Sequence, residues 1–176
     1  MSLGFSLDIK GVKHGDEYYS PQNVVDMIVP YVVKGGYKTI WCPFDTDDSL
    51  YVKTFKKLGY EVNYGHIDTG QDFFDYTEPQ GDIVVSNPPF SRRDDVLKHL
   101  YELDIPFAIV IGFNGLFDNR KRFELFKTNG IQMLVPRGRM RFVHKEYGLM
   151  KSPVFQSIYI CSRVLDSQIV FSDSVF

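Results

Sequence analysis

Cysteine is scarce in this chain, with only Cys42 and Cys161 among 176 residues. The two lie far apart, and neither has a cysteine or histidine at the spacing of a metal-binding motif. Each falls within an apolar run, so we expect two buried free thiols. The sequence therefore gives no sign of a disulfide framework, and it predicts no metal site.

A strong net charge and long apolar runs are also missing. Twenty lysines and arginines against 22 acidic residues give a net charge of −2, so charge alone does not announce a nucleic-acid-binding protein. No apolar run approaches the roughly 20 residues of a membrane span, and the first residues hold no apolar signal core. With a hydrophobic share of 44%, we expect one globular, cytoplasmic domain spanning residues 1–176.

The chain does contain apolar, β-rich runs that alternate with amphipathic stretches. We predict strands at 39–42, 61–67, 82–86, 107–113, 131–135 (stopped by Pro136), 139–143, 155–161 and 168–171. We predict helices at 47–58, 92–103 and 119–129, and a first helix that Ser20 caps and Pro21 begins. Continuous apolar strands alternating with helices are typical of a parallel sheet covered on both faces.

Open sheets of this kind bind ligands beyond the carboxyl ends of their strands. This rule selects three segments that follow predicted strands. They are Cys42-Pro43-Phe44-Asp45, His66-Ile67-Asp68 and Ser86-Asn87-Pro88-Pro89-Phe90. We expect the three segments to face one crevice.

The segment Asn87-Pro88-Pro89-Phe90 is the most specific feature of the sequence. Its prolines fix two φ angles, remove two amide donors and hold the residues before them extended. The loop is therefore stiff and offers acceptors, the side-chain carbonyl of Asn87 and the backbone carbonyl of Pro88. With the flat face of Phe90, these acceptors suit a planar heterocycle that carries an exocyclic amino group. The alternative is a proline-stiffened turn that buries a phenylalanine.

This motif resembles the catalytic motif of the amino-methyltransferases, above all the N6-adenine DNA methyltransferases. Three further segments resemble that family and follow its order. Tyr19-Ser20-Pro21 is similar to its N-terminal cofactor motif, and Asp72-Phe73-Phe74 is similar to the loop after its third strand, which holds the cofactor adenine. Ser152-Pro153-Val154-Phe155 resembles the segment that walls its target-base pocket. The likeness spans roughly residues 18 to 161, and small phage-type adenine methyltransferases share the pattern best.

The resemblance implies a Rossmann-like class I methyltransferase fold, with a mostly parallel twisted sheet, helices on both faces and a late antiparallel strand. It implies S-adenosylmethionine as the cofactor and methyl transfer to an exocyclic amino group, adenine N6 in DNA being the first expectation. The expected catalytic residues are Asn87, Pro88, Pro89 and Phe90. The expected cofactor-binding residues are Tyr19, Ser20, Pro21, Asp45, Asp68, Asp72 and Phe73, with Phe73 stacking on the cofactor adenine and Asp72 accepting from its amino group.

Two departures from the family pattern concern the cofactor. The loop after the first strand has no Gly-x-Gly, but its Asp45 offers a carboxylate for the cationic amino group of the cofactor. Alternatively, Asp45, Asp47 and Asp48 only cap the next helix. At the end of the second strand, where the family places an acidic residue for the ribose, this chain has His66 and then Asp68.

A basic stretch follows the strand at 131–135. Its cations can track a nucleic-acid backbone, or they form a solvated positive edge. They are Arg137, Arg139, Arg141 and Lys145.

The sequence leaves two other functions open. Release-factor methyltransferases use a closely similar Asn-Pro-Pro-Tyr motif on a glutamine side-chain amide, and a chain without a glycine loop could be a binding module that does no catalysis. The Phe at position 90 and the basic stretch favour a nucleic acid, DNA ahead of RNA. Since the chain leaves little room for a separate target-recognition domain, a partner protein could supply specificity.

Overall fold

A computed structural model describes residues 18–144, 148–149 and 156–175. Its strands, in chain order, are β1 (Tyr18–Tyr19), β2 (Thr39–Cys42), β3 (Glu61–Tyr64), β4 (Ile83–Ser86), β5 (Phe107–Gly112), β6 (Gln132–Arg137), β7 (Val143–His144), β8 (Gly148–Leu149), β9 (Ser157–Ser162) and β10 (Ile169–Val175). Its α-helices are α1 (Gln22–Gly35), α2 (Leu50–Lys57), α3 (Arg93–Glu102) and α4 (Arg120–Asn129). Short 3-10 helices lie at Ile67–Thr69, Phe73–Asp75 and Phe90–Arg92.

Seven strands form the central sheet, in the order β10-β6-β9-β5-β4-β2-β3. Only β9 runs antiparallel to its neighbours within this sheet. The expected mostly parallel α/β sheet with a late antiparallel strand is therefore confirmed. A small antiparallel sheet, β1-β7-β8, lies apart from it.

The central strands read as continuous apolar runs because both of their faces are buried. In β5, Ala108 and Val110 belong to a core shared with α1 and α2. Phe107, Ile109 and Ile111 belong to the opposite core, shared with α3 and α4. Helices thus cover the sheet on both sides, as parallel strands require. Both cysteines are buried and free, as expected.

Several predicted boundaries are wrong for local reasons. Pro21, not Ser20, is the N-cap of α1; no side chain caps the helix, and the N–H groups of Val24 and Val25 donate to the backbone oxygen of Pro21. Pro136 lies inside β6 rather than ending it. Because β9 pairs with β6 only as far as Leu134, Pro136 faces a partner on one side alone, and its missing N–H is tolerated there. The strand expected at 139–143 is reduced to β7, since Met140 and Phe142 turn into the core instead.

The segment between β3 and β4 differs from the family pattern. The second strand ends at Tyr64, three residues earlier than predicted, and 3-10 helices follow. The described residues from 65 to 82 hold no strand, so Asp72-Phe73-Phe74 does not follow a third strand of the family type. None of the helices in the described part of the chain is long and apolar enough to cross a bilayer.

A buried arginine fixes the loop between β5 and α4. Arg122 is 3% exposed, and its guanidinium donates to the carbonyl oxygens of Gly115 and Leu116 and to Asp94. We expect Arg122→Met to lower the free energy of unfolding by about 2 kcal/mol or more, because a buried and a partly buried carbonyl lose their donors. Urea denaturation measures this. The control is Arg120→Met at an exposed position, and equal losses in both variants would contradict the prediction.

Candidate active site

A cavity of about 660 Å³ opens beyond the carboxyl ends of β2, β3 and β4. Its volume lies within the roughly 300–1,000 Å³ of small-molecule and cofactor sites. It collects residues from all three strand-end segments and from the segment before α1. The predicted site residues that line it are Tyr19, Ser20, Pro21, Asp45, Asp68, Asp72, Phe73, Asn87 and Pro89. Pro88 and Phe90 are not among the lining residues.

The amide of Asn87 is held in one orientation at the wall of this cavity. Its Nδ2 donates to the backbone oxygen of Tyr18 at 3.0 Å, which directs the other end of the amide away from that carbonyl. Asn87 Oδ1 is buried and has no hydrogen-bond partner. A buried acceptor without a donor is costly, so its presence here points to a ligand that supplies an N–H.

The other three residues of the motif pack next to Asn87 and fix the course of the loop. Pro88 is buried, and the backbone N–H of Arg92 donates to the oxygen of Pro89 at 3.1 Å to begin the 3-10 helix. Phe90 is half-buried, with its ring centroid 6.1 Å from that of Tyr18 and 5.8 Å from that of Phe142. The expected open face of Phe90 is therefore largely taken up by packing between these two rings.

Asp45 links the ends of two neighbouring strands. It is buried, and its Oδ1 accepts from Ser49 Oγ at 2.5 Å while its Oδ2 accepts from Ser86 Oγ. Burial raises the pKa of Asp45 to about 6, against the lowering effect of the two hydroxyl donors. A carboxylate has about four acceptor sites, so two remain for a cationic donor in the cavity.

The glycine-free loop after β2 keeps Asp45 out of helix capping. Ser49 is the N-cap of α2, and its side chain accepts from the N–H of Tyr51. Asp47 accepts from Lys56 and Tyr64, while Asp48 pairs with Lys53. Capping thus does not explain Asp45, which lies at the wall of the cavity.

Asp68 lies farther along the chain than the family's acidic residue. It is exposed at the cavity rim, within the 3-10 helix that begins at Ile67. Its N–H donates to His66 Nδ1 at 3.2 Å. The carboxylate is therefore four residues beyond the end of β3 rather than at the strand end itself.

The structure places Asp72 and Phe73 in different environments. Asp72 Oδ1 accepts from the N–H of Phe74 at 3.0 Å, which leaves its second oxygen for a ligand. Phe73 is 2% exposed because it packs against Trp41, Phe44 and His99. The expectation that Phe73 offers a stacking face is corrected accordingly, since little of its ring is open to a ligand.

The segment before α1 lines the cavity beside the Asn-Pro-Pro-Phe motif. Tyr19 is half-exposed, Ser20 is buried, and Pro21 is the N-cap of the helix. The segment is fixed by β1, where Tyr18 pairs with His144 and Tyr19 with Val143. This pairing also sets the Tyr18 carbonyl that orients Asn87.

The basic stretch lies outside the cavity. Arg137, Arg139 and Arg141 are exposed and alternate with buried Met140 and Phe142 in the segment after β6. Because Phe142 contacts Phe90, this segment runs beside the catalytic motif. Lys145 and the segment 152–155 lie outside the described residues.

Arg92 and Tyr18 are among the cavity residues that the sequence interpretation missed. Arg92 lines the cavity with its guanidinium 4.0 Å from the ring centroid of Phe74, and its place two residues after the motif was a signal for it. Tyr18 acts through a backbone oxygen, for which the sequence holds no signal. The described residues contain no cluster of side chains able to hold a metal ion.

The cavity is acidic, which suits a positively charged ligand. Among the described residues that line it, carboxylates outnumber the guanidinium of Arg92; the carboxylates are Asp45, Asp48, Asp68 and Asp72. S-adenosylmethionine carries both an ammonium and a sulfonium, so the residues present fit this cofactor. Asp45 would hold the ammonium, and Asp68 and Asp72 would accept from the ribose and the adenine.

No protein-family model matches the sequence, and a search of curated proteins gives no match. Solved structures do match the fold. A candidate RNA methyltransferase from Pyrococcus horikoshii aligns with a TM-score of 0.50 and 13% identity, over 88% of this chain and 91% of that one. The modification subunit of a candidate type I restriction enzyme from Vibrio vulnificus YJ016 aligns with a TM-score of 0.54 and 11% identity.

The chain therefore has the class I methyltransferase fold. The second alignment covers 91% of this chain but 50% of the restriction-enzyme subunit, so this chain spans half of that larger protein. At such identities the likeness concerns the fold alone, and the role of each site residue remains a prediction.

Proposed function

We propose that this chain is an S-adenosylmethionine-dependent methyltransferase that acts on an exocyclic amino group, adenine N6 in DNA. The observation that carries the proposal is Asn87 Oδ1, a buried acceptor without a partner at the wall of an acidic cavity. The target amine would supply the missing N–H. Both fold neighbours are described as modifying nucleic acid or belonging to a restriction system, which supports the choice of acceptor.

The chain's own residues would position the amine and stabilise its charge. A ring amine is a poor nucleophile because its lone pair is delocalised into the ring. A hydrogen bond to Asn87 Oδ1 favours a pyramidal nitrogen with a free lone pair. As positive charge develops on that nitrogen, this fixed acceptor binds it more strongly than it binds the ground state. The sequence also predicts the Pro88 carbonyl as an acceptor, but Pro88 is not among the residues that line the cavity. S-adenosylmethionine, when bound, supplies the methyl group on its sulfonium sulfur.

No general base is needed before attack in this scheme. The extra proton of the methylated amine can pass to solvent water afterwards. A base within a duplex must first be flipped out, at a cost of a few kcal/mol.

The deciding experiment is incubation with methyl-labelled cofactor and separate duplex DNA, single-stranded DNA, RNA and protein acceptors. We expect label in DNA, recovered as N6-methyl-2′-deoxyadenosine in nucleoside analysis; label recovered as N6-methyladenosine would indicate RNA. Label in glutamine would assign the chain to protein methylation instead. If S-adenosylhomocysteine does not bind even at millimolar concentration in calorimetry, the chain is a binding module and the proposal fails.

The basic stretch makes a separate prediction about salt. If Arg139 and Arg141 bind phosphates, the double variant Arg139→Ala, Arg141→Ala should bind all DNA sequences more weakly. The slope of log affinity against log salt should become shallower by about 1 for each phosphate that is no longer neutralised. The control replaces Lys38 and Lys57, two exposed cations at the opposite, amino-terminal edge of the sheet. If the slope is unchanged in the arginine variant, Arg139 and Arg141 are solvated surface residues that bind no phosphate.

A further inference from the structure

Two exposed aromatic side chains stand on the loop that follows β5. Phe113 is 41% exposed and Phe117 is 45% exposed, and neither lines the cavity. We call this pair the aromatic platform. Both rings leave apolar surface in water within a stretch of five residues.

The loop that carries the platform is held rigidly. Arg93 Nη1 donates to the oxygens of Gly112 and Asn114, at 3.4 and 3.2 Å, and Arg122 binds the two carbonyls that follow. Leu116, between the two aromatic residues, is 1% exposed and anchors the loop in the core. A loop fixed in this way loses little conformational entropy when its exposed side chains bind a partner.

Cations lie on both sides of the platform. The N–H of Phe113 donates to Gln156 O at 2.7 Å, and Gln156 Nε2 donates to Gly138 O at 2.9 Å. Gln156 therefore bridges the platform and the stretch that carries Arg137 and Arg139. On its other side, α4 begins with exposed Arg120 and Lys121. Of the carboxylates beside the platform, Asp118 belongs to the loop and Asp94 pairs with buried Arg122; the four exposed cations outnumber these two.

The register of the sheet relates the platform to the catalytic motif. In the pairing of β4 with β5, Ser86 lies opposite Ile109. Asn87 comes one residue after this level and Phe113 four residues after it, so the two differ by about 10 Å along the strand direction. Both are at the carboxyl edge of the sheet, and β5 lies on the side of β4 away from β2 and the cofactor residues. This separation suits bases that neighbour the reacting one.

We propose that the aromatic platform stacks unpaired bases flanking the target adenine, so that the acceptor is single-stranded DNA. This inference rests on the proposed function and narrows its substrate. Base faces are accessible to phenyl rings only when the strand is unpaired, and the surrounding cations match its phosphates. Since phenyl rings read no base edges, the platform holds a strand without selecting its sequence.

The test measures binding of a fluorescent 12-nucleotide single strand by anisotropy. Its probes are the adenine-containing strand, the same strand with abasic neighbours around the adenine, and the matching duplex. The parent should bind the complete strand best. The double variant Phe113→Ser, Phe117→Ser should lose roughly 5- to 100-fold in affinity for it. The variant should then bind the complete and abasic strands equally, with an unchanged salt slope.

Controls separate this effect from damage to the fold and from failure of the proposed function. Phe117 packs at 6.0 Å from the ring of Phe126, so the melting temperature of the variant is measured. Phe171→Ser is the matched exposed phenylalanine, on β10 at the outer end of the sheet, and it should bind like the parent. Parental affinity of the platform variant, preference of the parent for duplex, or label in protein alone would overturn the inference. If the parent prefers the complete strand but methylates no acceptor, the proposed function fails and the platform stands.

Discussion

Replacing Asn87 with alanine should lower the turnover rate of methyl transfer by on the order of 100-fold or more. The reason is that Asn87 Oδ1 is an acceptor already buried and oriented by the Tyr18 carbonyl, so it needs no rearrangement as charge develops on the amine. An interaction that strengthens in the transition state affects turnover rather than cofactor affinity. Affinity for S-adenosylhomocysteine should therefore stay nearly parental.

The measurement must exclude a loosened β1, because the variant also loses the Asn87–Tyr18 hydrogen bond. Cofactor affinity is sensitive to such a change, since Tyr19, Ser20 and Pro21 line the cavity. Asn63→Ala is the matched control: its Nδ2 also donates to a backbone oxygen, that of Gln80 at 2.6 Å, but it lies on β3 away from the motif. A folded Asn87→Ala variant that turns over as fast as the parent would make the motif a stiff turn and end the proposed mechanism.

The layout of this fold follows from patterns that depend on neighbouring residues alone. Apolar runs on both faces identified β2, β4 and β5, and a single rule about strand ends then selected the segments around Asp45 and Asn87. That rule works because parallel strands bring their carboxyl ends to one edge regardless of the details of packing. Its success did not require knowing which strands are adjacent.

The details of the site depend on contacts between distant residues, and the sequence does not encode them locally. The hydrogen bond from Ser86 to Asp45 exists only because β4 pairs beside β2. The burial of Phe73 comes from Trp41, Phe44 and His99, which belong to three other segments. Spacing around Phe73 cannot tell a ring that stacks on a ligand from one that stacks on the core.

Because the pKa of Asp45 is raised, we expect the affinity for the cofactor to depend strongly on pH. A cofactor ammonium is bound by the ionised carboxylate, and burial favours the neutral form up to a pKa of about 6. Affinity for S-adenosylhomocysteine should therefore be nearly complete at about pH 7, where the carboxyl is about nine-tenths ionised, and should fall as the pH drops through 6. The free energy of unfolding depends on pH in the opposite direction. Because the pKa of Asp45 is higher in the folded protein than in the unfolded chain, protonation of Asp45 stabilises the fold at low pH, and this stabilisation is lost as the pH rises through 6.

We accordingly expect Asp45→Asn to bind S-adenosylhomocysteine on the order of 10- to 100-fold more weakly at pH 7.5, the usual range for losing a charge-assisted hydrogen bond. Between pH 5 and 7.5 its affinity should stay flat, because the variant has no charge at position 45 to lose. Calorimetric titrations across this range measure both effects.

His66 is a second titratable group at the cavity wall, so His66→Gln is titrated in parallel and should keep the parental pH dependence. The control Asp47→Asn removes an exposed carboxylate of the same loop that pairs with Lys56 and should leave affinity unchanged. The outcome against this prediction is an Asp45→Asn variant that binds as tightly as the parent and whose affinity falls at low pH as the parent's does. The carboxylate would then only tie Ser49 to Ser86, and the ammonium would be bound elsewhere in the cavity.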